Sequence, residues 1–121
     1  MVYRRTDANI ARLVGALAPW QPYLRGAPPG LPFRFDADTV QRGLNFTLQT
    51  TLGDIDLLGE VTGGGSYDQL LPESETGRVF GYDVTCVTLV RLIALKRAAG
   101  RKKDLIALAE LEALLEERDR A

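Results

Sequence analysis

The stretch LNFTLQTTLGDIDLLGEV, residues 44–61, decides the fold. Leu44, Phe46 and Leu48 alternate with Asn45, Thr47 and Gln49, the two-residue period of a half-buried strand. A second strand, Asp54 to Glu60, follows a reversal at Thr51-Leu52-Gly53, where Gly53 supplies the positive φ of a tight hairpin. In that second strand Asp54, Asp56 and Leu58 share one face, and Ile55 and Leu57 the other. Two carboxylates on one face repel each other unless a cation or hydrogen-bond donors sit there. Asp54 and Asp56 are therefore the first candidates for chemistry.

Upstream, Val2-Tyr3 reads as no more than a strand end. Thr6 is a good N-cap, and Ile10, Leu13, Val14 and Leu17 recur at helical spacing, which predicts a helix over 7–18 stopped by Pro19. From Pro19 to Phe35 the prolines break all periodicity, so this crossing reads as irregular, with Trp20, Tyr23, Phe33 and Phe35 pinning it to the core. Asp36 caps a short helix to Gln41, which Gly43 ends.

Downstream, Thr62-Gly63-Gly64-Gly65-Ser66 lacks the Lys-Ser/Thr of a phosphate-binding P-loop and reads as a flexible connection. A short helix, Tyr67 to Leu71, ends at Pro72. Glu73 to Thr76 reads as loop, and Arg78 to Phe80 with Tyr82 to Val87 as a strand bulged at Gly81. Thr88 caps a helix bearing Leu89, Leu92, Ile93 and Leu95 and closed by Gly100; a last helix runs from Lys103 to Arg118.

With 121 residues the chain reads as one domain, 1–121. Its 45% hydrophobic and 26% charged residues are those of a globular protein in water, and a net charge of −1 gives no global case for nucleic acid or an anionic membrane. No apolar run is long enough to span a bilayer, and the N-terminus lacks the apolar segment of a secretory signal. With one cysteine, Cys86, this points to a reducing cytoplasm. Cys86 is expected to be an inert core thiol. The chain has no histidine, which removes imidazole bases, Ser-His-Asp and Cys-His pairs and histidine metal ligands. Carboxylates with a metal remain the natural route to catalysis.

A second constellation is Lys96-Arg97-Ala98-Ala99-Gly100-Arg101-Lys102-Lys103-Asp104. Its cations suit phosphate binding by charge-assisted hydrogen bonds. The plainer account is that cations at a helix C-terminus offset its dipole. Lys102 and Lys103 open the next helix against that rule, which favours a functional reading for Lys96 and Arg101.

Together the hairpin, FGYDVTCVTLVRLIALKRAAGRKKDL and the closing ALAELEALLEE resemble the nucleotidyltransferase superfamily that includes DNA polymerase beta, in its small bacterial toxin-type branch. The resemblance spans Val2 to about Glu117. It implies a Mg²⁺-dependent domain that transfers a nucleoside monophosphate from an NTP to a hydroxyl on RNA, protein or a small molecule. By the same resemblance Asp56 is the third metal-ligand carboxylate and general-base candidate, Asp54 an accessory ligand, Lys96 and Arg101 phosphate contacts, and a cognate antitoxin a possible partner. The family's glycine turn and Asp-x-Asp strand run directly into a segment like VYRRTDANIARLVGALAP, so the resemblance implies a chain N-terminally truncated relative to the family and inactive alone. The alternative is a non-catalytic binding module that kept the fold.

The expected fold class is α/β (α+β), an incomplete nucleotidyltransferase-like fold. One small mixed sheet, containing 44–50, 54–60 and 78–87, is covered by helices 7–18, 88–99 and 103–118. Leu13, Leu17, Phe46, Ile55, Leu57, Val84, Leu92 and Leu108 are expected inside. A strand truncated at Tyr3 leaves a sheet edge exposed, which predicts a homo-oligomer formed through that edge.

Overall fold

The computed structural model describes residues 1–120. They gather into two compact units, residues 1–60 and 61–120, each with its own antiparallel sheet. The architecture mixes helix and strand as the sequence pattern implied.

In the first unit, Thr6 caps α1 (Asp7–Leu17) by accepting a hydrogen bond from the Asn9 amide. Asp36 caps α2 (Ala37–Arg42) in the same way through the Thr39 amide, and that hydrogen bond holds its carboxyl below the usual carboxylate range. Strands β2 (Asn45–Thr50) and β3 (Gly53–Leu58) form the hairpin in the register the alternation requires, with Phe46 opposite Leu57 and Leu48 opposite Ile55. The turn is Thr51-Leu52, with Gly53 at φ +126°. Tyr3, Ile10, Val40, Leu48 and Leu57 make the buried core, against which Leu13, Leu17, Phe33, Phe35, Phe46 and Ile55 are half-buried.

The crossing that reads as irregular contributes a strand after all. Tyr23–Leu24 (β1) pairs antiparallel with β2 at Gln49 and Leu48, giving the order β1-β2-β3. On the far side, Val2 bridges Leu58 in parallel, which makes the pairing mixed. The Leu58 amide donates to the Met1 carbonyl at 2.8 Å, and the Tyr3 amide to the Leu58 carbonyl at 3.1 Å.

In the second unit, residues 78–87 do not join the first sheet. They belong to a separate hairpin, β4 (Ser74–Val79) with β5 (Tyr82–Val87), which draws in the segment that reads as loop. The bulge expected at Gly81 is the turn itself, Phe80-Gly81, with both residues at positive φ, 52° and 83°. That is the primed-turn backbone, usually given to Asn-Gly. Phe80 is 95% exposed at its tip.

Cys86 is exposed on β5, contrary to the core position expected. It stands opposite Glu75 on a two-stranded ribbon, and such a ribbon covers its own faces only partly. Val84, Leu92 and Leu108 are half-buried for the same want of cover, while Leu70, Ile93 and Leu95 are buried. Tyr67–Leu70 forms the short helix α3, Thr88 caps α4 (Leu89–Ala99) through the Arg91 amide, Gly100 ends it at φ +65°, and α5 runs from Lys102 to Arg120.

Candidate functional site

The acidic pair lies on the outer face of β3. Asp54 and Asp56 have Leu57 and Ile55 on the opposite, core-facing side, as the two-residue period demands. Their side chains are 63% and 48% exposed. The cation that such a pair calls for is Arg25, directly after β1. Its Nη2 donates to Asp56 Oδ1 at 2.7 Å and to the Leu48 carbonyl at 2.9 Å, and its Nε lies 3.3 Å from Asp54 Oδ2. The pairing of the Arg25 amide with the Thr47 carbonyl sets this reach. One guanidinium thus serves two carboxylates.

Carboxylate oxygens are the ligands Mg²⁺ takes. Two carboxylates already engaged by an arginine do not complete a pair of metal sites, and among the described residues no third His, Cys, Asp or Glu gathers with them. The described residues therefore do not fit a two-metal centre by themselves.

In the second unit, Lys96 and Arg101 meet on one carboxylate. Asp104, in the first turn of α5, is fully buried, and accepts from Lys96 Nζ at 3.2 Å and from Arg101 Nε at 2.6 Å. The Arg101 amide adds a third donor at 3.3 Å. The Arg101 hydrogen bond outweighs the cost of burial and, with Lys96, holds the Asp104 carboxyl at about 2. This is a charge staple across the α4–α5 turn. Any phosphate reaching Lys96 or Arg101 competes with a buried anion for them.

Arg25 is the residue that reading the sequence passes over. It lies 29 and 31 positions before its partners in a proline-broken segment, and only the pairing of β1 brings it there. The one available hint was the cost of two like charges on a strand face, which requires a countercharge from somewhere. No helix among the described residues is long and apolar enough to cross a membrane. No family model matches the chain, and neither do the curated proteins nor the solved structures compared with it.

Proposed function

We propose that this chain is a nucleotidyltransferase-like domain of the class that moves a nucleoside monophosphate from Mg-NTP to a hydroxyl, and that it is inactive with the described residues alone. The observation that supports the reading is the acidic pair: Asp54 and Asp56 side by side on an exposed strand face, the presentation a metal-ligand carboxylate needs. In the first unit Asp56 is the metal-ligand carboxylate and Asp54 its accessory; in the second, taken by itself, Lys96 and Arg101 are the phosphate-binding candidates and would have to be drawn from Asp104 to act. Two-metal transfer works by positioning and electrostatics, so an incomplete ligand set removes most of its rate advantage.

The test is divalent-cation binding followed by NMR or calorimetry. Arg25 and a cation compete for the same oxygens, so Arg25→Gln is expected to strengthen Mg²⁺ or Mn²⁺ binding several-fold, and Asp56→Asn in that background to abolish it. Failure of Arg25→Gln to bind either cation would remove Asp56 as a ligand. Labelled NTPs with Mg²⁺, with the protein and mixed RNA as acceptors, are expected to leave no label; incorporation abolished by Asp56→Asn would make the chain an enzyme as it stands.

A further inference from the structure

Helix α5 goes against the dipole rule at both ends. Its first two residues are Lys102 and Lys103, where the free amides already concentrate positive charge, and Glu116 and Glu117 stand within its last two turns, near the negative end. Asp104 at the start and Arg118 and Arg120 at the end follow the rule. Asp104, however, is engaged by Lys96 and Arg101, and Arg118 lies 3.7 Å from Asp119. Lys102, Lys103, Glu116 and Glu117 are all exposed, and the Arg120 guanidinium stands 3.9 Å from Glu116 with both side chains open to solvent.

The same helix has two apolar faces. Toward α4 it turns buried Asp104, half-buried Leu108, Leu111 and Leu115, and Glu112, which accepts from Arg97 Nη2 at 2.6 Å. On the opposite face Ile106, Ala109 and Ala113 follow one another at steps of three and four residues, the spacing of a helix–helix seam. All three are exposed, Ile106 at 60%, and Leu105 and Leu114 flank them at 52% and 53%. α4 covers the first face, and the second is open among the described residues.

One arrangement answers both features. The two lysines lie as far before the centre of the seam as the two glutamates lie beyond it. A second α5 laid antiparallel across the first, centred at Ala109 and Glu110, therefore sets Ile106 against Ala113 of the other copy, Lys102 against its Glu116 and Lys103 against its Glu117. A large side chain meets a small one, so the axes approach closely. Two-fold symmetry makes each ion pair twice, and the positive end of each helix lies beside the negative end of the other. A parallel pairing would set lysines on lysines and glutamates on glutamates.

We infer that the outer face of α5 is a self-association surface, on which a second copy of this chain packs antiparallel through Ile106, Ala109 and Ala113 and is clasped by lysine–glutamate pairs at both ends. One like-charge contact remains, Glu110 against its own copy at the two-fold axis. A single pair of crossing helices buries less than the roughly 1,200 Å² of a standard interface, so the dimer is weak and forms as concentration rises. It uses no residue of the first unit and is independent of the metal reading.

Sedimentation equilibrium between about 10 µM and 1 mM, the range of a weak interface, checks this. A monomer–dimer equilibrium is expected. Lys102→Glu with Lys103→Glu is expected to weaken it roughly tenfold or more, since every clasping contact turns repulsive. That change also removes the dipole violation at the start of the helix, so lost association is not lost folding. Glu116→Lys with Glu117→Lys is expected to weaken the dimer similarly, and an equimolar mixture of the two double variants to recover it as a heterodimer. Glu110→Gln is expected to tighten the dimer, and Ile106→Glu, at an exposed position, to abolish it. A monomer across the whole range would overturn the inference. So would a dimer indifferent to the lysine reversal, the result that pairing through the sheet edge gives, or a mixture that stays monomeric.

Discussion

Asp104→Ala lowers the thermal midpoint of the second unit by about 4–8 °C, since it removes the buried carboxylate on which Lys96, the Arg101 side chain and the Arg101 amide converge. Asp104 is wholly enclosed and takes four hydrogen bonds from Lys96 and Arg101 at the start of α5. Deleting it leaves the half-buried Lys96 ammonium without this carboxylate and loosens the turn at Gly100. The pH dependence has a definite sign. The carboxyl is held at about 2 in the fold against an ordinary 3.8, so the staple's contribution is complete above about 4. It declines as pH falls through that interval, because only the ionised form gains from the two cations. Far-UV circular dichroism melts of the wild type and Asp104→Ala between pH 7 and pH 2 check both points. An alanine variant that melts with the wild type at neutral pH would show the staple to be ornamental, and a gap that stays constant down to pH 2 would contradict the charge assignment.

Tyr3→Ala is expected to cost the first unit about 3–5 kcal/mol, the range for truncating a buried aromatic. Tyr3 is 3% exposed, its hydroxyl donates to the Leu44 carbonyl at 2.7 Å, and the same oxygen accepts from Arg5 Nη1 at 2.6 Å. Arg5 itself continues to the Val40 and Gln41 carbonyls of α2. One side chain therefore ties the N-terminus, the start of the hairpin and α2 together. Tyr3→Phe, which keeps the ring and removes only the hydroxyl, should cost about 1 kcal/mol. Tyr82→Ala, at a 75% exposed position, should change stability little. Urea denaturation of the three variants would rank them; a Tyr82 effect as large as that of Tyr3 would overturn the ranking.

What was legible in the sequence was what local periodicity determines. The hairpin, its face assignment, the caps at Thr6, Asp36 and Thr88 and the stop at Gly100 all depend on residues within a few positions of one another. The burial of Tyr3 is not legible locally because it depends on Leu44 and Leu58, far along the chain. β1 is not legible in the sequence, because two residues among prolines carry no period and pairing with Gln49 and Leu48 alone makes them a strand. The first half of β4, Ser74 to Thr76, is strand through its ladder with β5 rather than through burial, and its polar residues therefore read as loop, while Arg78 onward read as strand. Of the candidate site, the acidic face was readable and its arginine was not. Lys96, Arg101 and Asp104 could be picked out as a group, but not that the carboxylate lies inside with both cations turned to it.

The bridge between Val2 and Leu58 also sets an order of events in time. β2 and β3 are joined by two residues and need only a short closure, on the order of microseconds for a hairpin. Val2 reaches Leu58 only by closing nearly the whole length of the first unit, an entropic cost that nothing repays until α1, α2 and the hairpin have met. The N-terminal segment should therefore dock last. In pulse-labelled hydrogen exchange during refolding, the Ile55 amide, which faces β2, should gain protection before that of Tyr3; simultaneous protection would show the bridge to be part of the nucleus rather than its final seal.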